Sequence, residues 1–197
     1  MNTPIRILGI AGSLRHGSYN RAALRAATEL APKGAPMETF ELDGIPPFNQ
    51  DEEQNPPAKV TELKRRIREA NAILFVTPEY NWSVPGVLKN AIDWASRPHG
   101  DSAWNGKPAA IMGASTGAIG TARAQNHLRQ ILVYLNMFPI NQPEVLISQA
   151  MDRFDQEGNL TDLPTRERII GLLQSLVDWT RRIGMTQAVR FRREETR

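Results

Sequence analysis

The chain has 197 residues, 41% of them apolar, enough for one domain with its own core and too few for two of ordinary size. Cysteine is absent, which excludes disulfide frameworks, zinc ribbons and thiol nucleophiles. The three histidines (His16, His99, His127) form no ligand-spaced pair, so no metal site is expected. The net charge of +3 gathers at one end, where Arg181, Arg182, Arg190, Arg192, Arg193 and Arg197 face only Glu194 and Glu195; the remainder is near neutral and is not expected to bind nucleic acid.

Ile5–Ala11 is a short, nearly continuous apolar run, as in a strand buried on both faces of a parallel sheet. Helical periodicity follows over Tyr19–Leu30. Met37–Leu42 alternates and suits a less buried strand. Asp43–Pro57 is the longest irregular connection, and loops of that length in compact domains commonly serve a function or touch a partner. A helix is then predicted over Ala58–Ala70, a strand over Ala72–Thr77, a helix over Val84–Ala95, a strand over Pro108–Ala114 and a helix over Ala122–Leu135. Glu144–Ile147 is a plausible last strand. Leu163–Ile183 carries one apolar stripe formed by Ile169, Leu172, Leu173, Leu176, Val177 and Ile183.

Five strands alternating with five helices predict a doubly wound α/β fold, a parallel five-stranded sheet between two helical layers. Residues 1–185 are expected to form this single domain, and 186–197 a poorly ordered basic tail. No run is long enough to span a bilayer, and the first residues enter a strand without a signal-peptide core. The expected location is the cytoplasm.

In such a sheet ligands sit beyond the carboxyl ends of the strands. The first strand is followed by Gly12-Ser13-Leu14-Arg15-His16-Gly17-Ser18-Tyr19-Asn20, which leads directly into a helix. Free N–H groups at a helix N-terminus, hydroxyls from Ser13 and Ser18, the Asn20 amide and the Arg15 charge compose a phosphate cradle. Gly12 and Gly17 have Walker A spacing, but Ser18 stands where lysine is required, so nucleoside triphosphate hydrolysis is not expected. The dinucleotide glycine fingerprint is absent too, because Ser13, Leu14 and Arg15 occupy the space a pyrophosphate needs. A single terminal phosphomonoester, as on flavin mononucleotide (FMN), fits better. The plainer alternative is an ordinary capped helix.

After the second central strand comes Pro78-Glu79-Tyr80-Asn81-Trp82-Ser83-Val84-Pro85-Gly86, two aromatics in a short polar loop, suited to a flat heteroaromatic ligand. The blocks GSLRHGSYNRAAL, PEYNWSVPGVLKNAIDW and GKPAAIMGASTGAIGTARAQNHLRQ together resemble the signature blocks of the NADPH-dependent FMN reductase family, over roughly residues 5–147. The resemblance implies a flavodoxin-like fold with strand order 2-1-3-4-5. It implies that Ser13, Arg15, Ser18, Tyr19 and Asn20 bind the FMN phosphate. Pro78, Glu79, Tyr80 and Asn81 then lie along the flavin ring, largely through backbone groups, with Ser115, Thr116 and Gly117 on its other side. Lys89, Asn90, Asp93 and Trp94 match a helix that packs against a second subunit in a homodimer or homotetramer. Phe48, Asn49, Gln50 and Asp51 resemble a loop that reaches toward the partner's flavin. Gly120-Thr121 stands where relatives often carry paired glycines.

Gly113-Ala114-Ser115-Thr116-Gly117 also fits the nucleophile elbow of serine hydrolases, but the only later histidine is His127 and no acid lies between them. A serine without its base is a poor nucleophile. Trp82 is either a lid over the ring or a partly buried loop aromatic. The expected activity is therefore an FMN-dependent NAD(P)H oxidoreductase, passing hydride from NADPH or NADH to a quinone, free flavin or similar small-molecule acceptor in ping-pong order. The flavin carries the chemistry and no catalytic side chain is assigned. The opposing class is a flavodoxin-like electron carrier without NAD(P)H oxidation, though such carriers are usually acidic around the flavin and this body is not.

Overall fold

The computed structural model describes residues 3–194, with side chains to residue 184. The strands β1 (Ile7–Ala11), β3 (Ala72–Val76) and β4 (Pro108–Ala114) are buried along their whole length. Their residues divide alternately between two cores, as the two-residue period of a strand demands. Ile7, Leu74, Val76, Ala110 and Met112 join helices α1 (Tyr19–Glu29) and α5 (Leu163–Glu194) on one face. Leu8, Ile10, Ile73, Phe75, Ala109 and Ile111 join α2 (Ala58–Glu69), α3 (Gly86–Ala95) and α4 (Ala122–Tyr134) on the other. The edge strand β2 (Met37–Phe40) is half exposed and two residues shorter than its alternation predicts.

All pairings are parallel and the strand order is β2-β1-β3-β4-β5, the predicted flavodoxin-like arrangement. The fifth position differs in detail. It is shared by two short segments along one edge of β4: β5 (Phe138–Pro139) pairs with Pro108–Ala109, and β6 (Val145–Ile147) pairs with Met112–Ala114. Pro139 and Pro143 lack the N–H that a continuous ladder needs, so the chain leaves the edge between them. The predicted strand over Glu144–Ile147 is the second of these segments. The arginine-rich tail expected over 186–197 falls on residues whose side chains lie outside the described part of the chain.

The stripe on α5 is buried as its spacing predicts, with Ile169, Leu172, Leu173, Leu176 and Val177 all in the core. Its start is fixed by Asp162, whose carboxylate accepts from the Thr165 N–H at 3.0 Å and its hydroxyl at 2.5 Å, and from Arg153 at 2.6 Å. Among the described residues no helix is long and apolar enough to cross a membrane, and no group of three or more His, Asp or Glu side chains is placed to hold a metal ion.

Candidate functional site

The topology brings the loops after β1, β3 and β4 together at one rim of the sheet. The loop after β1 ends in Ser18, whose hydroxyl caps α1 by accepting from the Asn20 N–H at 3.2 Å. Between the Gly12 N–H, bonded to Val76 O at 2.9 Å, and the Ser18 N–H, bonded to Arg15 O at 3.1 Å, the loop bends back on itself. The backbone N–H groups of Ser13, Leu14, Arg15, His16 and Gly17 make no hydrogen bond among the described residues. Ser13 is only 5% exposed and its hydroxyl has no partner among them either. Arg15 is exposed and forms no ion pair among the described residues. Orphan donors, an unspent hydroxyl and a cation at a helix N-terminus form a donor set suited to a phosphate group. Arg21 braces the loop from α1, donating to Leu14 O at 3.4 Å and pairing with Glu41 at 3.0 Å.

Asn20 also joins two of the loops. Its amide donates to Ala114 O and accepts from Ala114 N–H, both at 2.8 Å across 94 residues of sequence. This pair satisfies both backbone groups at the end of β4 and fastens the first loop to the third. The second N–H of its amide makes no hydrogen bond among the described residues, so Asn20 holds the two loops in register and still has a donor to offer a ligand. The Tyr19 ring packs at the edge of the core, 5.4 Å from that of Phe154.

The loop after β3 is a tight hairpin. Tyr80 and Ser83 exchange both backbone hydrogen bonds at 3.0 Å, and the two residues between them, Asn81 and Trp82, have φ of 50° and 65°. Two consecutive positive φ values define a type I′ turn, which Asn tolerates and a bulky aromatic does not favour. Pro78 is buried; Tyr80, Asn81 and Trp82 are exposed. Glu79 turns away from the rim toward α4. Its Oε2 accepts from the N–H groups of Arg123 and Ala124 at 3.0 and 3.1 Å, and its Oε1 lies 3.4 Å from the Arg123 guanidinium. Thr121, the residue preceding α4, provides no side-chain cap. The carboxylate of the second loop thus caps the helix that follows the third.

In the third loop Ser115 and Gly117 are held from below by the chain after β6. Ser115 N–H donates to Ile147 O, Ala150 N–H to Ser115 O and Gln149 N–H to Gly117 O, at 2.9, 3.0 and 3.0 Å. The N–H groups of Asn81, Thr116 and Gly117 make no hydrogen bond among the described residues. Gly113 is required by close packing: a Cβ there would lie 2.2 Å from Thr77 O and 2.1 Å from Thr121 Oγ1. Thr121 is wholly buried at φ 71°, with Oγ1 accepting from the Gln125 amide at 3.1 Å. Where the resemblance suggests a second glycine, a buried hydrogen bond compensates the left-handed backbone.

The nucleophile-elbow reading fails on geometry. The Ser115 hydroxyl lies 3.4 Å from Gly117 O, while His127 Nδ1 is 3.0 Å from the hydroxyl of Ser83, on another loop. Among the described residues no base is hydrogen-bonded to the Ser115 hydroxyl. The depression at the opposite end of the sheet, lined by Arg6, Glu38, Arg66 and Glu69, is a poorer candidate than the rim. Three of these four charges are spent in ion pairs, Arg66 with Glu38 at 2.8 Å and Glu69 with Arg65 at 2.7 Å.

The long loop after β2 folds onto α3. Asn90 accepts from Phe48 N–H at 2.7 Å and donates to Pro46 O at 2.8 Å. The Trp94 indole also donates to Pro46 O, and its ring meets Phe48 edge-on at 5.0 Å. Asn90 and Trp94 therefore work within the chain, whereas Lys89 and Asp93 form an exposed ion pair at 2.8 Å. Asn49, Gln50 and Asp51 stay exposed.

Sequence reasoning assigned no role to Arg123, Thr121 or the Gln149–Ala150 support. Nothing local in the sequence joins Glu79 to Arg123 at the start of α4, because the two lie 44 positions apart.

The model of the NADPH-dependent FMN reductase family matches residues 5–152. Over 185 residues the chain is 54% identical to an NAD(P)H-dependent FMN reductase of Pseudomonas aeruginosa, covering 93% of this chain and 99% of the relative. It is 43% identical to a 2-hydroxy-1,4-benzoquinone reductase of a Burkholderia species, with 90% and 97% covered. Among solved structures, the flavoenzyme NAD(P)H:(acceptor) oxidoreductase FerB of Paracoccus denitrificans superposes with a TM-score of 0.83 at 36% identity, covering 90% of this chain and 97% of that one. Sequence and fold agree, and the chain belongs to the NADPH-dependent FMN reductase family.

Proposed function

We propose that this chain carries out its family's chemistry, NAD(P)H-dependent reduction through FMN, in the crevice formed by the three rim loops. The observation that carries the placement is the run of unpaired N–H groups from Ser13 to Gly17, with the Ser13 hydroxyl and the Arg15 guanidinium, at the end of the central strand β1. Those donors hold the FMN phosphate together with Ser18, Tyr19 and Asn20 at the start of α1, Asn20 through the amide N–H that its bonds to Ala114 leave over. The backbone of Pro78, Glu79, Tyr80 and Asn81 flanks one side of the ring, and Ser115, Thr116 and Gly117 the other.

When bound, FMN supplies a two-electron relay between reduced nicotinamide and acceptor. The chain contributes binding, orientation and electrostatics. The unpaired N–H groups of Asn81, Thr116 and Gly117 are available to stabilise negative charge that arises on reduction, and their positions are fixed before any ligand arrives. No protein nucleophile or dedicated base is assigned. NAD(P)H and a quinone or related small-molecule acceptor use the same opening in turn, which gives ping-pong kinetics. We further infer a cytoplasmic homodimer or homotetramer, with the exposed Lys89–Asp93 side of α3 and the loop of Asn49, Gln50 and Asp51 toward the partner.

The test is Arg15→Ala. Loss of one charge-assisted phosphate contact, worth about 1.5–3 kcal/mol, raises the FMN Kd by roughly ten- to a hundredfold. The fold, followed by far-UV circular dichroism of the apoprotein, stays unchanged. Unaltered FMN affinity in this variant overturns the phosphate assignment.

A further inference from the structure

Trp82 combines three features that a loop aromatic chosen for packing would not combine. The residue is 66% exposed, its backbone sits at φ 65° where large side chains are disfavoured, and the Arg123 guanidinium lies 4.2 Å from its ring centroid. The support is itself anchored, since Arg123 is held through its own N–H and its guanidinium by Glu79 on the same loop as Trp82. The type I′ turn, closed by two hydrogen bonds of 3.0 Å, fixes where the indole leaves the backbone. A hydrophobic side chain has thus been kept in water, on a disfavoured backbone, with a cation to steady it. Strain of this kind at a ligand-facing turn points to a role in recognition.

From this we infer that Trp82 is a specificity-determining residue, a stacking platform for planar, electron-poor aromatic acceptors such as fused-ring quinones. The inference rests on the placement of the flavin ring along the second loop argued above. Indole is a large, electron-rich aromatic side chain, and a quinone ring is electron-poor, so face-to-face offset contact between them is favourable in both dispersion and electrostatics. The platform selects among acceptors and takes no part in electron transfer. In the overall reaction NADPH gives up hydride, the acceptor gains two electrons and two protons to become the hydroquinone, and the second proton comes from solvent.

The test uses FMN-loaded protein and the variants Trp82→Gly and Trp82→Phe. Glycine removes the ring while suiting the positive φ, so loss of folding does not confuse the result. Binding of a naphthoquinone to the oxidised protein is measured by calorimetry without nicotinamide. Steady-state rates with NADPH are then compared for the naphthoquinone and for ferricyanide, which has no ring to stack. In Trp82→Gly the naphthoquinone Kd and KM rise by about tenfold, in line with aromatic stacking on a side chain. Its kcat, the FMN content and the ferricyanide rate stay within about twofold, and Trp82→Phe stays within about threefold of wild type throughout. An unchanged naphthoquinone Kd in Trp82→Gly, with FMN content and ferricyanide rate intact, overturns the platform alone. Failure of the unmodified protein to take up FMN removes the reading on which the platform rests, and the platform with it.

Discussion

Replacing Glu79 by alanine is expected to separate the second loop from the third. The carboxylate accepts from two N–H groups at the start of α4, at 3.0 and 3.1 Å, and Thr121 offers no substitute cap. Loss of an N-cap costs about 0.5–2 kcal/mol, and loss of a negative group at a helix N-terminus costs about 0.3–1 kcal/mol more. The ion pair with Arg123 adds little, because it is 3.4 Å long and the arginine is 45% exposed. A destabilisation of about 2 kcal/mol follows, which for a domain of this size lowers Tm by about 4–8 °C. Glu79→Gln keeps an acceptor and gives up the charge, so about half of that loss is expected. Urea unfolding of the apoprotein measures the first effect. FMN titration measures the second, a Kd raised by about tenfold in Glu79→Ala as the flanking loops lose their shared anchor. An alanine variant within about 0.3 kcal/mol of wild type would refute the assignment of Glu79 as the cap of α4.

Two further outcomes are expected. Asn20→Ala leaves the buried N–H and C=O of Ala114 unpaired and destabilises by about 2–4 kcal/mol in denaturant unfolding, more than a surface-facing anion ligand would; a change below about 0.5 kcal/mol contradicts the clamp. The Asp162 carboxyl is held below the ordinary value of 3.8, chiefly by the hydrogen bond from the Thr165 hydroxyl and then by Arg153. A folded-state value below the unfolded one means that this stabilisation is complete above about pH 4 and is lost as pH falls through the lowered folded value. Asp162→Asn therefore removes part of the fall in Tm below about pH 4, and an identical pH profile in the variant contradicts it.

The parts of the fold that follow from single-segment chemistry were legible in the chain. Continuous apolar runs mark β1, β3 and β4 because both of their faces are covered, and the α5 stripe is visible because only one of its faces is. The fifth strand was less so: the prolines at 139 and 143 interrupt a ladder whose other half lies in β4, and no local pattern states how the interruption is bridged. The site shows the same division. Gly12–Ser18 reads as an anion loop because its donors are adjacent in sequence. The Asn20–Ala114 and Glu79–Arg123 contacts span 94 and 44 residues, and each uses a side chain whose type fits a ligand contact equally well. The side chains of Asn20 and Glu79 fasten loops together in the structure, a task that nothing local in the sequence states. Trp82 was noticed as an aromatic, but its positive φ and its arginine support exist only once the hairpin closes.

The most direct measurement of the central claim is the uptake of FMN by the full chain, followed at equilibrium by quenching of flavin fluorescence and by flavin absorbance after gel filtration. The account predicts saturable binding of one FMN per chain, weakened by Arg15→Ala and much weaker for riboflavin, which lacks the phosphate. Absence of bound FMN at excess ligand, or equal affinity for riboflavin, would contradict it.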